Sequence, residues 1–190
     1  MSIALGLDIS TSCTGWCVIH QNGTQNVSCI ELGFIPLSKL SGSYSKAQEV
    51  LEALQMINGQ HKIDVIYIEE NLQTFKTGLS SAKTLATLAR FNGIVSYLSE
   101  QVFEIPPIFL NVNSARKSIG IKLIKKRNGG KPTKEQVFDW VDKDLTQIEH
   151  AQQWPMKTMK SGPRKGQVIL DPRTYDMTDA YVIARAGLLT

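Results

Sequence analysis

A strand with two apolar faces constrains this fold more than any other feature of the sequence. Residues 15–20 place Trp16 and Val18 on one side of an extended chain and Cys17 and Ile19 on the other. A strand of this kind is typical of the middle of a sheet that other elements cover on both faces. The sequence therefore favours an α/β fold with a central sheet between layers of helices.

The other elements predict a mixed sheet. Further strands are indicated at residues 3–9, 26–34, 65–69 and 108–112. The Asn22-Gly23 pair is a tight-turn signal, so the first three strands are joined as hairpins. Helices are indicated at residues 43–58, 79–102, 133–144 and 175–186, with a short helix capped by Asn113 or Ser114. Strands that open the chain and then alternate with helices favour a mixed sheet flanked by helices.

Details within these helices are also predicted. Asn58-Gly59 should close the first helix. The buried face of the second should include Leu85, Leu88, Ala89 and Leu98, and that of the last Ala180, Ile183, Ala184 and Gly187. Two Gly-containing stretches, residues 125–131 and 155–172, are expected to be irregular loops.

Length and composition limit the class of protein. With 190 residues and 42% hydrophobic content, residues 1–190 can bury the core of one compact domain. We find no signal peptide and no membrane-spanning run, which predicts a soluble cytoplasmic protein without a membrane partner. Cys13, Cys17 and Cys29 are an odd number without a C-x-x-C pair, so reduced thiols are expected.

The positive charge is concentrated in one part of the chain. Residues 1–115 carry 6 basic and 9 acidic side chains, whereas residues 116–173 carry 14 basic and 6 acidic ones. A single basic run is usually a solvated face. Two basic loops, at about 122–131 and 155–173, shift the interpretation toward nucleic acid.

Four carboxylates have the pattern of a metal site. Asp8 and Glu69 each stand at the end of an apolar strand, where ligands collect in open α/β sheets. Asp176 and Asp179 are three residues apart and so lie on one side of the last helix. Mg²⁺ prefers such oxygen ligands, and two ions at a phosphodiester support its hydrolysis.

Each acid also has a structural explanation. Asp176 near a helix start is favourable through the helix dipole alone, and Glu70 is expected to be a solvated loop residue. Asp8 is harder to explain in this way, because a carboxylate next to the buried run 3–7 costs free energy unless it is paired or ligated.

At these residues the chain resembles the RuvC family of Holliday junction resolvases, which have an RNase H-like fold. Residues 6–19, GLDISTSCTGWCVI, are similar to the family's opening hairpin with its G-x-D and T-G pairs. Ile68-Glu69 resembles the second acidic strand end, and the helix with Ala82, Leu85 and Gly93 resembles the one that follows it. Residues 131–137, KPTKEQV, resemble a helix start, and residues 176–180, DMTDA, the terminal D-x-x-D-A.

The resemblance implies both an activity and a site. It implies a structure-selective endodeoxyribonuclease that resolves four-way DNA junctions by paired cleavage. Mg²⁺ would be the cofactor, with Mn²⁺ as a substitute, held by the catalytic ligands Asp8, Glu69, Asp176 and Asp179. Lys134 would lie near the DNA phosphate. The family also implies a homodimer, which suits a substrate with twofold symmetry.

Three departures from the family pattern affect selectivity. Ser10 stands where the family often has Gly, and residues 157–173 look like an insertion. Leu72 occupies the place of an expected stacking aromatic, and the first aromatic after it is Phe75. Sequence preference and junction selectivity are therefore not predicted.

The basic runs supply the expected DNA contacts. Lysine suits contact with phosphates, and such binding weakens as salt is raised. Trp154 and Phe75 are candidates for stacking on unpaired bases, although a core position would explain each equally well. The expected DNA-binding residues are Lys122, Lys125, Lys126, Arg127, Lys131, Lys134, Phe75, Lys157, Lys160, Arg164 and Lys165.

Three alternatives remain open at this point. A related nuclease acting on RNA–DNA hybrids or structured RNA would keep the fold and change the substrate. An ATP-binding phosphotransferase would use residues 6–12 as a phosphate loop, although 190 residues leave little room for its second domain. A catalytically silent DNA-binding module would keep the basic loops alone.

Overall fold

The fold is built on a five-stranded mixed sheet. A computed structural model describes residues 2–23, 26–70, 82–148, 150 and 152–190. The sheet has the order β3-β2-β1-β4-β5, in which β1, β2 and β3 pair antiparallel and β1, β4 and β5 pair parallel. Its strands are β1 (Ser2–Ile9), β2 (Cys13–Asn22), β3 (Asn26–Pro36), β4 (Val65–Glu69) and β5 (Ile108–Leu110).

Helices cover both faces of the sheet. They are α1 (Gly42–Gln60), α2 (Ala82–Phe103), α3 (Val112–Ser118), α4 (Thr133–Gln147) and α5 (Thr174–Gly187). Trp16 and Val18 join one buried cluster with α1 and α2, and Cys17 and Ile19 join the other with α3, α4 and α5. The predicted strand with two apolar faces is confirmed, and β2 is the second strand of the sheet.

Helix α5 lies close against the sheet because glycines occupy two of the contact positions. A Cβ atom added at Gly6 would lie 2.4 Å from the carbonyl oxygen of Ala180, and one at Gly187 would lie 2.4 Å from the Tyr67 ring. Ala180, Ile183 and Ala184 are fully buried, as predicted. These glycines allow the helix backbone to approach the strands closely.

The buried face of α2 differs from the prediction. Ala89 is exposed and Leu85 and Leu88 are only partly buried, while Phe91, Val95 and small polar residues face the core. The hydroxyl of Ser96 donates to the Asn92 carbonyl at 2.8 Å, and that of Ser99 to the Val95 carbonyl at 2.8 Å. A serine whose hydroxyl donates a hydrogen bond to a carbonyl of its own helix can be buried. A search for periodic apolar residues does not detect such positions.

Two helix boundaries were also predicted wrongly. Helix α1 continues through Asn58-Gly59 to Gln60. The cap of α3 is Asn111, whose side-chain oxygen accepts from the backbone N–H groups of Asn113 and Ser114 at 3.1 and 3.3 Å. Strand β5 therefore ends at Leu110, before the predicted Val112.

The three cysteines are free thiols, as the sequence predicts. Cys13, Cys17 and Cys29 are free and buried, and the sulfur atoms of Cys17 and Cys29 lie 3.9 Å apart. Among the described residues, no helix is both long and apolar enough to cross a membrane.

Candidate active site

Asp8 and Glu69 lie next to each other near the ends of two neighbouring strands. Strands β1 and β4 are parallel neighbours, with Leu7 opposite Ile68. The next residue of each strand is the acid, so both carboxylates lie at the carboxyl edge of the sheet. Ligands commonly bind at this edge because the strand ends and the following loops form a crevice there.

Helix α5 brings the second pair of acids to the same edge. Gly15 pairs with Asp8 across β1 and β2. A Cβ atom at Gly15 would lie 2.0 Å from the backbone oxygen of Asp176, so the first turn of α5 rests directly on this glycine. Asp176 and Asp179 point along one side of the helix because they are three residues apart.

The four acids predicted from the sequence line a single pocket. Its volume is about 460 Å³, and Lys134, also predicted for the site, lies in its wall. Glu70 lines it as well, as an exposed side chain. The full lining is Asp8, Ile9, Ser10, Glu69, Glu70, Leu85, Leu88, Val112, Arg116, Lys134, Asp176 and Asp179.

Burial and mutual repulsion raise the pKa values of the acids in the pocket. Burial, followed by the charges of Glu69, Asp179 and Asp176, raises the pKa of Asp8 well above its ordinary value. Burial and Asp179 raise the pKa of Glu69 to about 7, although Arg116 and Lys134 oppose the shift. Both shifts arise because negative charges are crowded in a partly desolvated space, and a bound cation would relieve that repulsion.

Asp176 has a second polar neighbour in Cys13. Burial raises the pKa of Asp176, and a hydrogen bond from the Cys13 thiol opposes the rise. Burial and the Asp176 charge in turn raise the pKa of the Cys13 thiol. Cys13 is therefore a protonated thiol that donates to the Asp176 carboxylate.

Arg116 is a pocket residue that the sequence analysis did not include among the site residues. Its Nη2 donates to the Oδ1 atom of Asp179 at 2.8 Å, and the two side chains are 14% and 10% exposed. Helix α3 carries Arg116 and begins two residues after β5, the neighbour of β4. The signal available in the sequence was a basic residue on the short helix that follows a predicted parallel strand.

The donor chemistry of the pocket fits a hard cation, although no coordination shell is preformed. The lining contains carboxylates and a serine hydroxyl, with neither histidine nor cysteine, which is the donor set that Mg²⁺ prefers. Within the described part of the chain, however, no three His, Cys, Asp or Glu side chains are grouped closely enough to hold an ion. The pairing of Asp179 with Arg116 turns one carboxylate toward an internal cation.

The first basic loop is tied to α4 by the hydrogen bonds of the Gln136 side chain. The Gln136 side chain accepts from the Ile124 N–H at 2.8 Å and donates to the carbonyls of Ile124 and Lys131 at 2.9 and 2.6 Å. A 3₁₀ turn spans Lys126–Asn128. Lys131 pairs with Asp139 at 2.7 Å. The exposed basic residues here are Lys122, Lys125, Lys126, Arg127, Lys131 and Lys134.

The second basic segment is a hairpin, so the prediction of an irregular loop over residues 155–172 was wrong. Strands β6 (Met156–Thr158) and β7 (Val168–Leu170) form a separate two-stranded sheet. Gly162 and Gly166 adopt positive φ in the turn, which explains why the glycines suggested a loop. The segment exposes the predicted DNA-binding residues Lys157, Lys160, Arg164 and Lys165.

The two aromatic candidates have different outcomes. Trp154 packs internally, since its ring lies 5.1 Å from that of Phe138 and its Nε1 donates to Asp142 at 2.6 Å. Phe75 lies outside the described residues. The structure therefore offers no support for base stacking by Trp154.

The sheet order, the helices on both faces and the acidic pocket define an RNase H-like fold of the resolvase type. Similar solved structures include Thermus thermophilus RuvC in complex with a Holliday junction substrate, with a TM-score of 0.64 and 13% identity over 98% of this chain and 92% of that one. The yeast mitochondrial Holliday junction resolvase Ydc2 is similar with a TM-score of 0.57 and 15% identity over 99% and 78%. Fowlpox virus resolvase in complex with Holliday junction DNA is similar with a TM-score of 0.50 and 14% identity over 98% of this chain and 96% of that one.

The sequence itself identifies the family. The family model described as crossover junction endodeoxyribonuclease RuvC matches residues 4–151, and the chain belongs to this family. No curated protein matches the chain in sequence. The fold and the family predicted from the sequence are both confirmed.

Proposed function

We propose that this protein resolves four-way DNA junctions by paired, metal-dependent phosphodiester cleavage. The observation that carries the proposal is the pocket in which Asp8, Glu69, Asp176 and Asp179 meet in a chain of the RuvC family. The similar proteins from T. thermophilus and fowlpox virus have been seen with Holliday junction DNA. The place of action would be DNA of the nucleoid, or viral DNA in the host cytoplasm.

The four carboxylates are the proposed ligands of Mg²⁺, for which Mn²⁺ substitutes. When bound, such ions activate the attacking water and stabilise the charge on the leaving oxygen. The carboxylates set the position of this chemistry at the edge of the sheet, and Lys134 in the pocket wall neutralises a phosphate that enters. Arg116 holds Asp179 in place before the ions and the substrate arrive.

The basic side chains of the two basic segments, together with Lys134 in the pocket wall, are the proposed contacts to the DNA backbone. The loop over residues 122–131 follows α3, which carries Arg116, and precedes α4, which carries Lys134. A phosphate chain that enters the pocket can therefore continue along exposed lysines. The proposed contacts are Lys122, Lys125, Lys126, Arg127, Lys131, Lys134, Lys157, Lys160, Arg164 and Lys165, with Phe75 remaining a prediction.

A homodimer is the proposed working form. Paired cleavage of a junction with twofold symmetry needs two active sites related by a twofold axis. Helix α2 offers a suitable surface, because Ala86, Ala89, Gly93 and Tyr97 are exposed along one side of it. A Cβ atom at Gly93 would meet nothing within 4 Å, so a second helix can approach there.

The test is cleavage of a synthetic four-way junction in Mg²⁺. We expect symmetric nicks in two strands of equal polarity, and no cleavage when EDTA replaces the metal. An RNA–DNA hybrid and a structured RNA of matched length test the other nuclease substrates, and ATP turnover without DNA tests the phosphotransferase. The proposal would be rejected if the protein cleaved the hybrid efficiently and left the four-way junction uncut. It would also be rejected if the protein hydrolysed ATP and cleaved no nucleic acid.

A further inference from the structure

The hairpin formed by β6 and β7 is a rigid arm. Beyond the paired strands, the Met159 N–H donates to the Gln167 carbonyl at 2.9 Å and the Gly166 N–H donates to the Met159 carbonyl at 2.8 Å. The turn is closed by the Lys165 N–H, which donates to the Gly162 carbonyl at 3.0 Å. Because its backbone is internally bonded to the tip, the arm can present side chains in fixed positions.

The base of the arm is fixed to the active-site helix. The Asp171 N–H donates to the Pro155 carbonyl at 2.9 Å, and the Asp171 side chain is buried. Arg173 donates through Nε to the Asp171 carboxylate at 2.9 Å, and its guanidinium carbon lies 4.3 Å from the Phe34 ring centroid. Helix α5 begins one residue later and carries Asp176 in its first turn. The arm and two proposed metal ligands are therefore one continuous, anchored unit.

The arm combines cations with exposed apolar side chains. The strand register places Met156, Thr158, Val168 and Leu170 on one face. Met156 is 58% exposed and Val168 is 62% exposed, and such exposed apolar side chains on neighbouring strands can mark a binding surface. Residues 156–170 contain no acid, and their four cations are all exposed: Lys157, Lys160, Arg164 and Lys165.

We propose that this arm enters the branch point of the junction and provides selectivity for branched DNA. The inference rests on the proposed function. The cations fit the phosphates that surround the crossover, and Met156 and Val168 fit the apolar base-pair faces that are exposed where the arms of the junction meet. A continuous duplex stacks those faces against each other, so it offers phosphates only. Apolar wedges of this kind, inserted beside basic contacts, are a known way to engage unstacked base steps.

The charge of the arm favours DNA over a protein as its occupant. A partner chain would cover Met156 and Val168 but would leave the cations on a surface that contains no carboxylate between residues 156 and 170. A phosphate backbone neutralises the same cations and releases their counterions. The arm therefore has separate parts for affinity and for selectivity, which mutations can address independently.

The test compares binding to a four-way junction and to a duplex of matched sequence, in Ca²⁺ or EDTA so that no cleavage occurs. The double variant Met156→Thr/Val168→Thr keeps residues suited to strands and keeps the charge. We expect its preference for the junction over the duplex to fall about tenfold, with duplex affinity and salt dependence unchanged. A 2-aminopurine base at the branch point should also lose its fluorescence response to the protein.

Two control variants define the result. Ile30→Thr removes an exposed apolar residue from the edge strand β3 and should leave the preference intact. Lys160→Gln/Arg164→Gln/Lys165→Gln should weaken binding to both DNAs and reduce the salt slope. An unchanged junction preference in the Met156/Val168 variant would overturn the inference, as would an equal weakening on both DNAs. A change in its oligomeric state with DNA binding intact would assign the arm to a protein contact and overturn it too.

The outcome for the arm is separable from that for the proposed function. If the wild-type protein neither prefers nor cuts the junction, the proposed function fails. If the wild type prefers the junction and the Met156/Val168 variant does so equally, only the role of the arm is rejected. Melting curves check folding, since both side chains are exposed and their replacement should leave stability nearly unchanged.

Discussion

Asp8 is the proposed ligand whose position is hardest to explain without a metal ion. It follows the buried residues Leu5 and Leu7, and its pKa is raised by burial and by the neighbouring acids. We expect Asp8→Asn to reduce cleavage of a junction in Mg²⁺ by at least about a thousandfold, because the variant lacks a ligand, while junction binding stays within about threefold. Normal turnover by the variant would remove Asp8 from the site. Glu49→Gln, at an exposed acid on α1, is the control.

Glu69 makes the stability of the metal-free protein depend on pH. Its pKa is about 7 in the folded protein and near 4.5 in the unfolded chain, so the folded state binds the proton more tightly between these values. The contribution of Glu69 to stability is therefore fully present below about pH 4.5 and is lost as the pH rises through about 7. We expect a loss on the order of 1–3 kcal/mol from this group.

Denaturant unfolding in EDTA at about pH 5 and about pH 8 measures this effect. Glu69→Gln should reduce the loss and should be more stable than the wild type at the higher pH. Glu70→Gln, at the exposed neighbouring acid, should retain the wild-type dependence. A wild-type stability that rises between the two pH values would contradict the assignment.

At the scale of single residues, the sequence predicts acids at strand ends better than it predicts their partners. Asp8 and Glu69 could be chosen because each interrupts or ends an apolar strand. A basic residue on the helix after β5 is visible in the sequence, but the role of Arg116 depends on its contact with Asp179, 63 residues away. The same limit applies to Cys13, whose hydrogen bond to Asp176 joins two distant segments.

At the scale of elements, the contact between β2 and α5 fixes the geometry of the pocket. Gly15 lies under the backbone of Asp176, so any side chain there must push the helix away. We expect Gly15→Ala to lower the free energy of unfolding by about 2–4 kcal/mol and to reduce cleavage strongly. Thermal and denaturant melts measure the first effect.

A second glycine provides the comparison. Gly59 lies in α1 and has nothing within 4 Å of an added Cβ atom. Gly59→Ala should therefore be neutral or stabilise the protein by about 0.5–1 kcal/mol. Equal effects of the two substitutions would show that the contact between Gly15 and α5 does not control stability.

The loop over residues 122–131 is the element expected to dominate salt-dependent binding. Lys125→Gln/Lys126→Gln/Arg127→Gln should weaken binding to junction and duplex alike and reduce the salt slope by about 0.9 for each phosphate that the variant no longer neutralises. Kd measured over a salt series tests this. A triple change at exposed lysines elsewhere, Lys39→Gln/Lys62→Gln/Lys143→Gln, should have little effect, and an unchanged slope in the loop variant would contradict the proposal.

Element prediction succeeded where a periodic apolar pattern existed and failed where turn residues dominated. Strand β4 was predicted with its observed bounds, because it is short and apolar. The β6–β7 hairpin was missed because a Gly-Pro pair and one further glycine interrupt a segment with only six paired residues. Glycine signals a turn, but the turn of a hairpin and an irregular loop have the same local chemistry.

For the whole molecule, the fold followed from a few consistent signals. A hairpin opening, a strand apolar on both faces and alternating helices indicate a covered mixed sheet, and the family resemblance supplied its topology. The assembly could not be predicted in this way, because a helix face that binds a second subunit has the same sequence pattern as one that contacts only water. The homodimer therefore stays a prediction.

Helix α2 gives the test of that assembly. Tyr97 is 62% exposed on the proposed contact surface. We expect Tyr97→Glu to convert a dimer into a monomer in sedimentation experiments and to replace paired cleavage of a cruciform plasmid by single nicks, because two charges would be buried at the twofold axis. Tyr44→Glu, at an 83% exposed tyrosine of α1, should preserve both properties. A dimeric Tyr97→Glu protein would rule out this surface.

The acids of the pocket come from three separate parts of the chain, and Asp179 lies 171 residues after Asp8. A polypeptide still emerging from the ribosome holds only the first two acids until α5 is made. The pocket is therefore completed only after α5 has been synthesised. Because α5 packs against the sheet and against α3 and α4, its removal by proteolysis would take away two of the four acids and much of the buried core.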